Sequence, residues 1–220
     1  MWQEIDKKAI ILKKTPYYDY DELITCLTNE GIKYYFCKGV RKSSSKNRFA
    51  LNLLNLVNLT LLYKEDINSN LVLKTATLIK EFNYQSYLSN TYETLIRLFN
   101  SLRLNNLDVI LSSYEKVLPY FEKRNFVAMS YLCFQVLKVM GLLPQLEHCV
   151  ECNNRDNIVD FNLYKGGFLC REHSNKQPNL SFLKSIYYLS KSFDDYDLAV
   201  SNEEAKTILD LILNFIWQYI

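Results

Sequence analysis

The sequence predicts an α+β protein, with a small closed β-barrel followed by a helical region that carries a metal-binding cysteine segment. Three observations lead there. The first is a series of short runs rich in branched and aromatic residues between Lys7 and Phe82, broken by turn signals. The second is a change to helical periodicity after Phe82. The third is the spacing of cysteines and histidine between His148 and His173.

The β-like runs are Ala9 to Lys14, Glu22 to Thr28, Ile32 to Val40, Leu51 to Tyr63 and Leu71 to Ile79. TPYYDYD, Asn29-Glu30-Gly31, RKSSSKNR and EDINSN separate them. Five strands in so short a stretch favour a closed barrel, because closure removes exposed sheet edges. The second run has an alternative, since Asp21 to Leu27 could open a capped helix. Helices are expected over Tyr84 to Leu102, Leu107 to Leu118 and Glu122 to Gly141, where apolar residues recur three and four apart. Gly141 and Pro144 are stop signals for the third. Two further helices are expected at Ser181 to Ser190 and Asn202 to Tyr219, and no Ser/Gly linker, internal repeat or low-complexity tract interrupts the chain.

Hydrophobic residues make up 49% and charged residues 23%, a balance typical of a folded globular protein. No apolar run reaches the length of roughly 18 residues needed to span a bilayer, and Met1 to Leu12 contains acids where a signal peptide would be basic. A cytoplasmic location is therefore expected. Thiols stay reduced there, so clustered cysteines are metal ligands before they are disulfides. Cys26, Cys37 and Cys133 stand alone in apolar surroundings and are read as core.

Cys149 and Cys152 are spaced C-x2-C, and Cys170 and His173 are spaced C-x2-H after seventeen intervening residues. Two-residue spacing lets a tight knuckle aim two ligands at one ion, and a returning chain completes the tetrahedron. Ile158 to Tyr164 and Phe168 to Cys170 read as strands joined around Lys165-Gly166-Gly167, where glycine accepts a positive φ. One structural zinc per chain is expected, because four protein ligands leave no position for a reactive water. His148, just before the first cysteine, is an alternative to His173, which is preferred because it completes the second pair.

Net charge is only +2. It is unevenly spread: residues 1 to 50 hold ten Lys/Arg against six Asp/Glu, and Lys33 to Arg48 holds six cations and no acid. Such cations could neutralise phosphates, with Tyr34, Tyr35, Phe36 and Phe49 as rings for base stacking; the alternative is a solubilising loop. On a strand Tyr34 and Phe36 share one face and Tyr35 takes the other, so at least one ring set belongs to the core. No G-x-G-x-x-G, Walker A, H-E-x-x-H, G-x-S-x-G or zinc-deaminase pattern is present, and both histidines lie in the cysteine segment. An enzyme is not expected.

AIILKKTPYYDYDELITCLTNEGIKYYFCKGVRK resembles the opening of the RecO family of bacterial recombination mediators, including its basic K-G-x-R element. LLPQLEHCVECNN and FNLYKGGFLCREH are similar to that family's helix end, cysteine knuckle and G-G-x-x-C return. The resemblance implies an OB-fold DNA-binding domain over 1–80 and a helical domain over 81–220 with a zinc finger at 148–174. It also implies nucleoid association and binding of single- and double-stranded DNA through Lys38, Arg41, Lys42, Lys46 and Arg48. Annealing of complementary strands follows, as does work with RecR and with the C-terminal tail of single-strand-binding protein to load recombinase in the DNA damage response. His173 departs from relatives that have cysteine there. The alternative is an OB-fold and zinc scaffold that binds RNA or protein without annealing.

Overall fold

The computed structural model describes residues 2–64 and 71–219. Its chain divides into two compact units, Met1–Leu118 and Pro119–Ile220.

In the first unit, β1 (Trp2–Tyr17), β2 (Asp21–Thr28), β3 (Gly31–Cys37), β4 (Leu56–Lys64) and β5 (Val72–Lys80) form a closed barrel in the order β1-β2-β3-β5-β4. This is the OB-fold arrangement, in which β3 meets β5 in parallel and β4 returns antiparallel to β1. β1 closes the barrel by serving two partners. Trp2 to Ile10 pairs with β4, Ala9 to Tyr17 pairs with β2, and a register shift between Ile11 and Lys13 bends the strand between them. Ala9 to Leu12 is buried throughout, because Ala9 and Ile11 join the barrel core while Ile10 and Leu12 are also fully enclosed.

The predicted second run is a strand and not a helix. The fourth begins at Leu56 and not at Leu51, because Leu54 takes a positive φ of 63° and its N–H donates to the Ile11 carbonyl at 2.7 Å. β3 ends at Cys37, where the Asp21 carboxylate accepts the Gly39 N–H at 2.6 Å and turns the chain. The expected turn EDINSN lies outside the described residues.

Helices α1 (Ser89–Ser101) and α2 (Asp108–Val117) belong to the same compact unit as the barrel. Tyr114 of α2 explains their attachment: its ring is fully buried against Phe99, and its hydroxyl donates to the Leu54 carbonyl at 2.7 Å. Helix α1 starts five residues later than periodicity suggests, after an extended stretch and a short 3-10 turn at Ser86–Leu88.

The second unit contains α3 (Phe121–Val139), the hairpin β6 (Ile158–Asn162) and β7 (Gly167–Cys170), then α4 (Leu180–Leu189), α5 (Phe193–Ala199) and α6 (Asn202–Ile216). Gly141 ends α3 as expected, at φ +73°, with its N–H on the Lys138 carbonyl and that of Leu142 on Leu137. Near its start α3 is kinked at Arg124, whose guanidinium donates to the Asp197 carboxylate at 2.8 Å and to the Asp197 and Val200 carbonyls. Those bonds satisfy the end of α5, a seven-residue helix too short to show a period in the sequence. Ser192 caps it by accepting the Asp195 N–H at 3.0 Å. Among the described residues no helix is long and apolar enough to cross a membrane.

Candidate metal centre and nucleic-acid interface

The cysteine segment folds into two knuckles facing each other across the hairpin. In the first, the Asn153 N–H donates to the Cys149 carbonyl and the Cys149 N–H to the Asn154 carbonyl. In the second, the N–H groups of His173 and Ser174 both donate to the Cys170 carbonyl. The hairpin turn is held by Gln145, which accepts the Phe168 N–H and donates to the Gly166 carbonyl. Only glycine fits at 167, since a Cβ there would lie 2.1 Å from the Gln145 carbonyl oxygen. Buried Asp160 fastens the chain beyond the second knuckle by accepting from Ser174 Oγ at 2.9 Å and Lys176 Nζ at 3.1 Å.

One ligand atom each from Cys149, Cys152, Cys170 and His173 lies within 4.8 Å of all the others. Cys152 Sγ is 3.7 Å from Cys170 Sγ, and His173 Nδ1 is 3.3 Å from Cys170 Sγ and 3.7 Å from Cys149 Sγ. Zinc–sulfur bonds of about 2.3 Å set tetrahedral edges near 3.8 Å, so the donor set fits a tetrahedral zinc. His148 is not in the group; its Nδ1 lies 3.1 Å from the Cys149 carbonyl. Burial opposes ionisation of Cys149, yet the backbone groups of Cys170, Glu151 and Cys152 and the Cys170 thiol favour it and bring the pKa down to about 6. For Cys152 the Asn154 backbone pulls down, but burial and the sulfurs of Cys170 and Cys149 push it up overall. Crowded thiolates repel one another, and a dication relieves that repulsion. The remaining thiols behave as core: Cys26, Cys37 and Cys133 are buried, and burial raises each one, Cys37 to about 12.

The predicted nucleic-acid contacts lie on the barrel unit. Lys38, Arg41, Lys42, Lys46 and Arg48 are all exposed, and no carboxylate pairs with any of them among the described residues. Five other lysines of the barrel differ. Lys7 pairs with Glu30, Lys8 with Glu115, Lys14 with Glu22, Lys33 with Glu30 and Lys74 with Glu4. The segment carrying the free cations is anchored. Asn47 donates to the Lys74 carbonyl and accepts the Ala76 N–H, while buried Asn55 donates to the Phe49 and Ala50 carbonyls and accepts the Phe82 N–H. Lys46, Arg48 and the exposed ring of Phe49 are thereby held on an ordered support.

Of the aromatic residues read in this segment, Tyr35 is core, Tyr34 is exposed and Phe36 is half-buried. Sequence reasoning missed the β1–β2 turn, where Tyr17, Tyr18 and Tyr20 are all exposed. Arg41 reaches it by donating to the Tyr18 carbonyl at 3.2 Å, and Lys42 Nζ sits 5.4 Å from the centre of the Tyr20 ring. Three tyrosines in a turn, where polar and small residues are usual, were the available signal.

Residues 1–82 match the family model for the N-terminal part of recombination protein O, and residues 107–220 match that for its C-terminal part. A protein named DNA repair protein RecO from Ligilactobacillus salivarius is 30% identical, over 99% of this chain and 89% of its own length. Proteins of the same name from Latilactobacillus sakei and Mycoplasma mycoides are 26% and 25% identical, over 97% and 96% of this chain and 83% and 89% of their own lengths. Barrel, cysteine clasp and family models agree along the chain, which belongs to the RecO family.

Proposed function

We propose that this protein is a non-enzymatic, cytoplasmic recombination mediator of DNA repair that binds single- and double-stranded DNA through its OB-fold module, residues 1–80. The supporting observation is the set of exposed cations Lys38, Arg41, Lys42, Lys46 and Arg48, none paired with a carboxylate among the described residues, on an anchored segment of a barrel where Lys7, Lys8, Lys14, Lys33 and Lys74 are paired. Such cations release counterions from phosphates, and neutralising two strands at once lowers their repulsion so that base pairing drives annealing. No step in that sequence requires a covalent intermediate. The names of the relatives support the repair role. In this reading the second unit carries one structural zinc on Cys149, Cys152, Cys170 and His173, and the protein works with RecR and the tail of single-strand-binding protein to load recombinase. When bound, the metal supplies four bonds that join the two knuckles and no reaction chemistry.

Replacing Lys38, Arg41 and Lys42 together with Ala is expected to weaken DNA binding and to shallow the slope of log affinity against log salt by about 0.7 to 0.9 for each phosphate no longer neutralised. Annealing of complementary strands coated with single-strand-binding protein should fall in parallel. An unchanged affinity and slope at matched salt would remove this surface from the mechanism.

A further inference from the structure

The β1–β2 turn presents rings where a solvated turn would present small polar groups. Tyr18 is 80% exposed and Tyr20 55% exposed. Isolated exposed tyrosines are ordinary, but these sit one residue apart and Tyr18 is linked through Tyr17 to Phe36. Tyr17 stands edge-on to Tyr18, with ring centres 4.5 Å apart, and edge-on to Phe36 at 5.6 Å. An edge-to-face pair covers at most one face of either ring, so Tyr18 retains a face for another planar group. Its backbone is unusual too, because a bulky residue at φ 49° adopts the left-handed conformation at an energetic cost. Tyr20 lies under Lys42 on one side, an arrangement that leaves its other side for stacking.

Charge sorts the parts of a ligand across this patch. Asp19 is exposed between the two rings and repels phosphate from the turn itself, whereas Asp21 is occupied with the Gly39 N–H. Arg41 and Lys42, drawn to the same turn, attract phosphate beside it. A strand whose phosphates follow the cations would bring its bases to the rings. Base faces are accessible in a single strand and hidden within a duplex.

We propose that Tyr18 and Tyr20 form, with Arg41 and Lys42, a platform on which bases of single-stranded DNA stack, so that this turn makes the barrel unit prefer single strand over duplex. The proposal rests on the reading that the neighbouring cations take phosphate. It adds a separate contribution that requires bases.

The test measures binding of the full chain, at matched salt, to a thymidine oligomer, to an abasic sugar–phosphate oligomer of equal length and to a duplex. Tyr18→Asn, which tolerates the left-handed backbone, combined with Tyr20→Ala should weaken binding to the thymidine oligomer by about tenfold per ring. Binding to the abasic oligomer and the duplex, and the salt slope, should stay unchanged. Tyr18→Phe with Tyr20→Phe should keep thymidine-oligomer binding within about twofold of the parent, because stacking uses the ring and not the hydroxyl. Tyr20→Ala alone, outside the left-handed position, should produce about the single-ring loss. Equal losses on all three probes, or no loss on the thymidine oligomer, would overturn the platform. Arg41→Ala with Lys42→Ala tests the underlying reading separately: unchanged binding to the abasic oligomer and duplex would sink the phosphate assignment, while the thymidine-to-abasic ratio still reports on the rings.

Discussion

The barrel encloses a continuous cluster of buried side chains that includes Ala9, Ile11, Ile24, Tyr35, Leu51, Val57, Leu59, Leu61 and Ala76. The β6–β7 clasp encloses Cys149, Leu169 and Cys170, with Val150 and Ile158 packed at its edge. Both are small β structures with well-formed turns. The barrel removes enough apolar surface from water to offset the entropy of ordering its strands, at about 25 cal/mol per Å². The cluster in the clasp is smaller, and its four ligand atoms converge on one point, where a bound metal would join the two knuckles.

The largest effect separating the two regions is expected from metal removal. A strong chelator, or Cys170→Ser, should reduce bound zinc from one per chain to near zero. It should also open the segment around 148–174 to proteolysis, since metal binding can supply about 10–16 kcal/mol to such folds. The barrel should persist. Thiol labelling at pH 8 after chelation checks this directly: the opened Cys149, Cys152 and Cys170 should react, while Cys37, its pKa raised to about 12 chiefly by burial, remains a protonated and inert thiol. Labelling of Cys37 at the same rate would mean that the barrel depends on the metal.

Leu59→Ala provides the opposite break. Leu59 is fully buried in the barrel cluster, and the cavity should cost about 2–5 kcal/mol in denaturant unfolding of the first unit with zinc content unchanged. Tyr114→Phe should have a smaller effect, about 1–3 kcal/mol, by leaving the Leu54 carbonyl without its hydroxyl donor. That loss should appear in the barrel's transition, and its absence would detach α2 from the barrel's stability. The smallest change is expected at His148. His148→Ala should retain one zinc per chain, whereas His173→Ala should weaken binding, because His173 Nδ1 is the nitrogen that faces the sulfurs. The reverse result, measured by metal titration, would exchange the two histidines.

Much of this architecture is legible in the residues. Branched and aromatic runs mark the five strands, apolar spacing marks the longer helices, and paired two-residue spacings mark the ligand group. The failures have physical causes. Leu51 to Asn55 has a strand's composition, but Leu54 takes a positive φ and donates to Ile11 of the adjacent strand, and the Asn55 side chain is spent on three backbone partners. Helix α5 is too brief for a period, and its stability comes from a cap and from Arg124 far away in sequence. The tyrosines at the first turn read as punctuation, because a turn signal says where a chain reverses and not which side chains it displays.

By itself the sequence determined the α+β class, the cysteine and histidine spacing and the acid-free run of cations. Spacing and charge are local properties, written directly in residue order. Tertiary structure decided which histidine faces the sulfurs and which aromatic residues are core. It also decided which cations are left unpaired. Those outcomes depend on residues far apart in the chain, as when Glu115 meets Lys8 or Arg41 meets the turn at Tyr18. Composition cannot distinguish a neutralised lysine from a free one, because only folding brings the partners together.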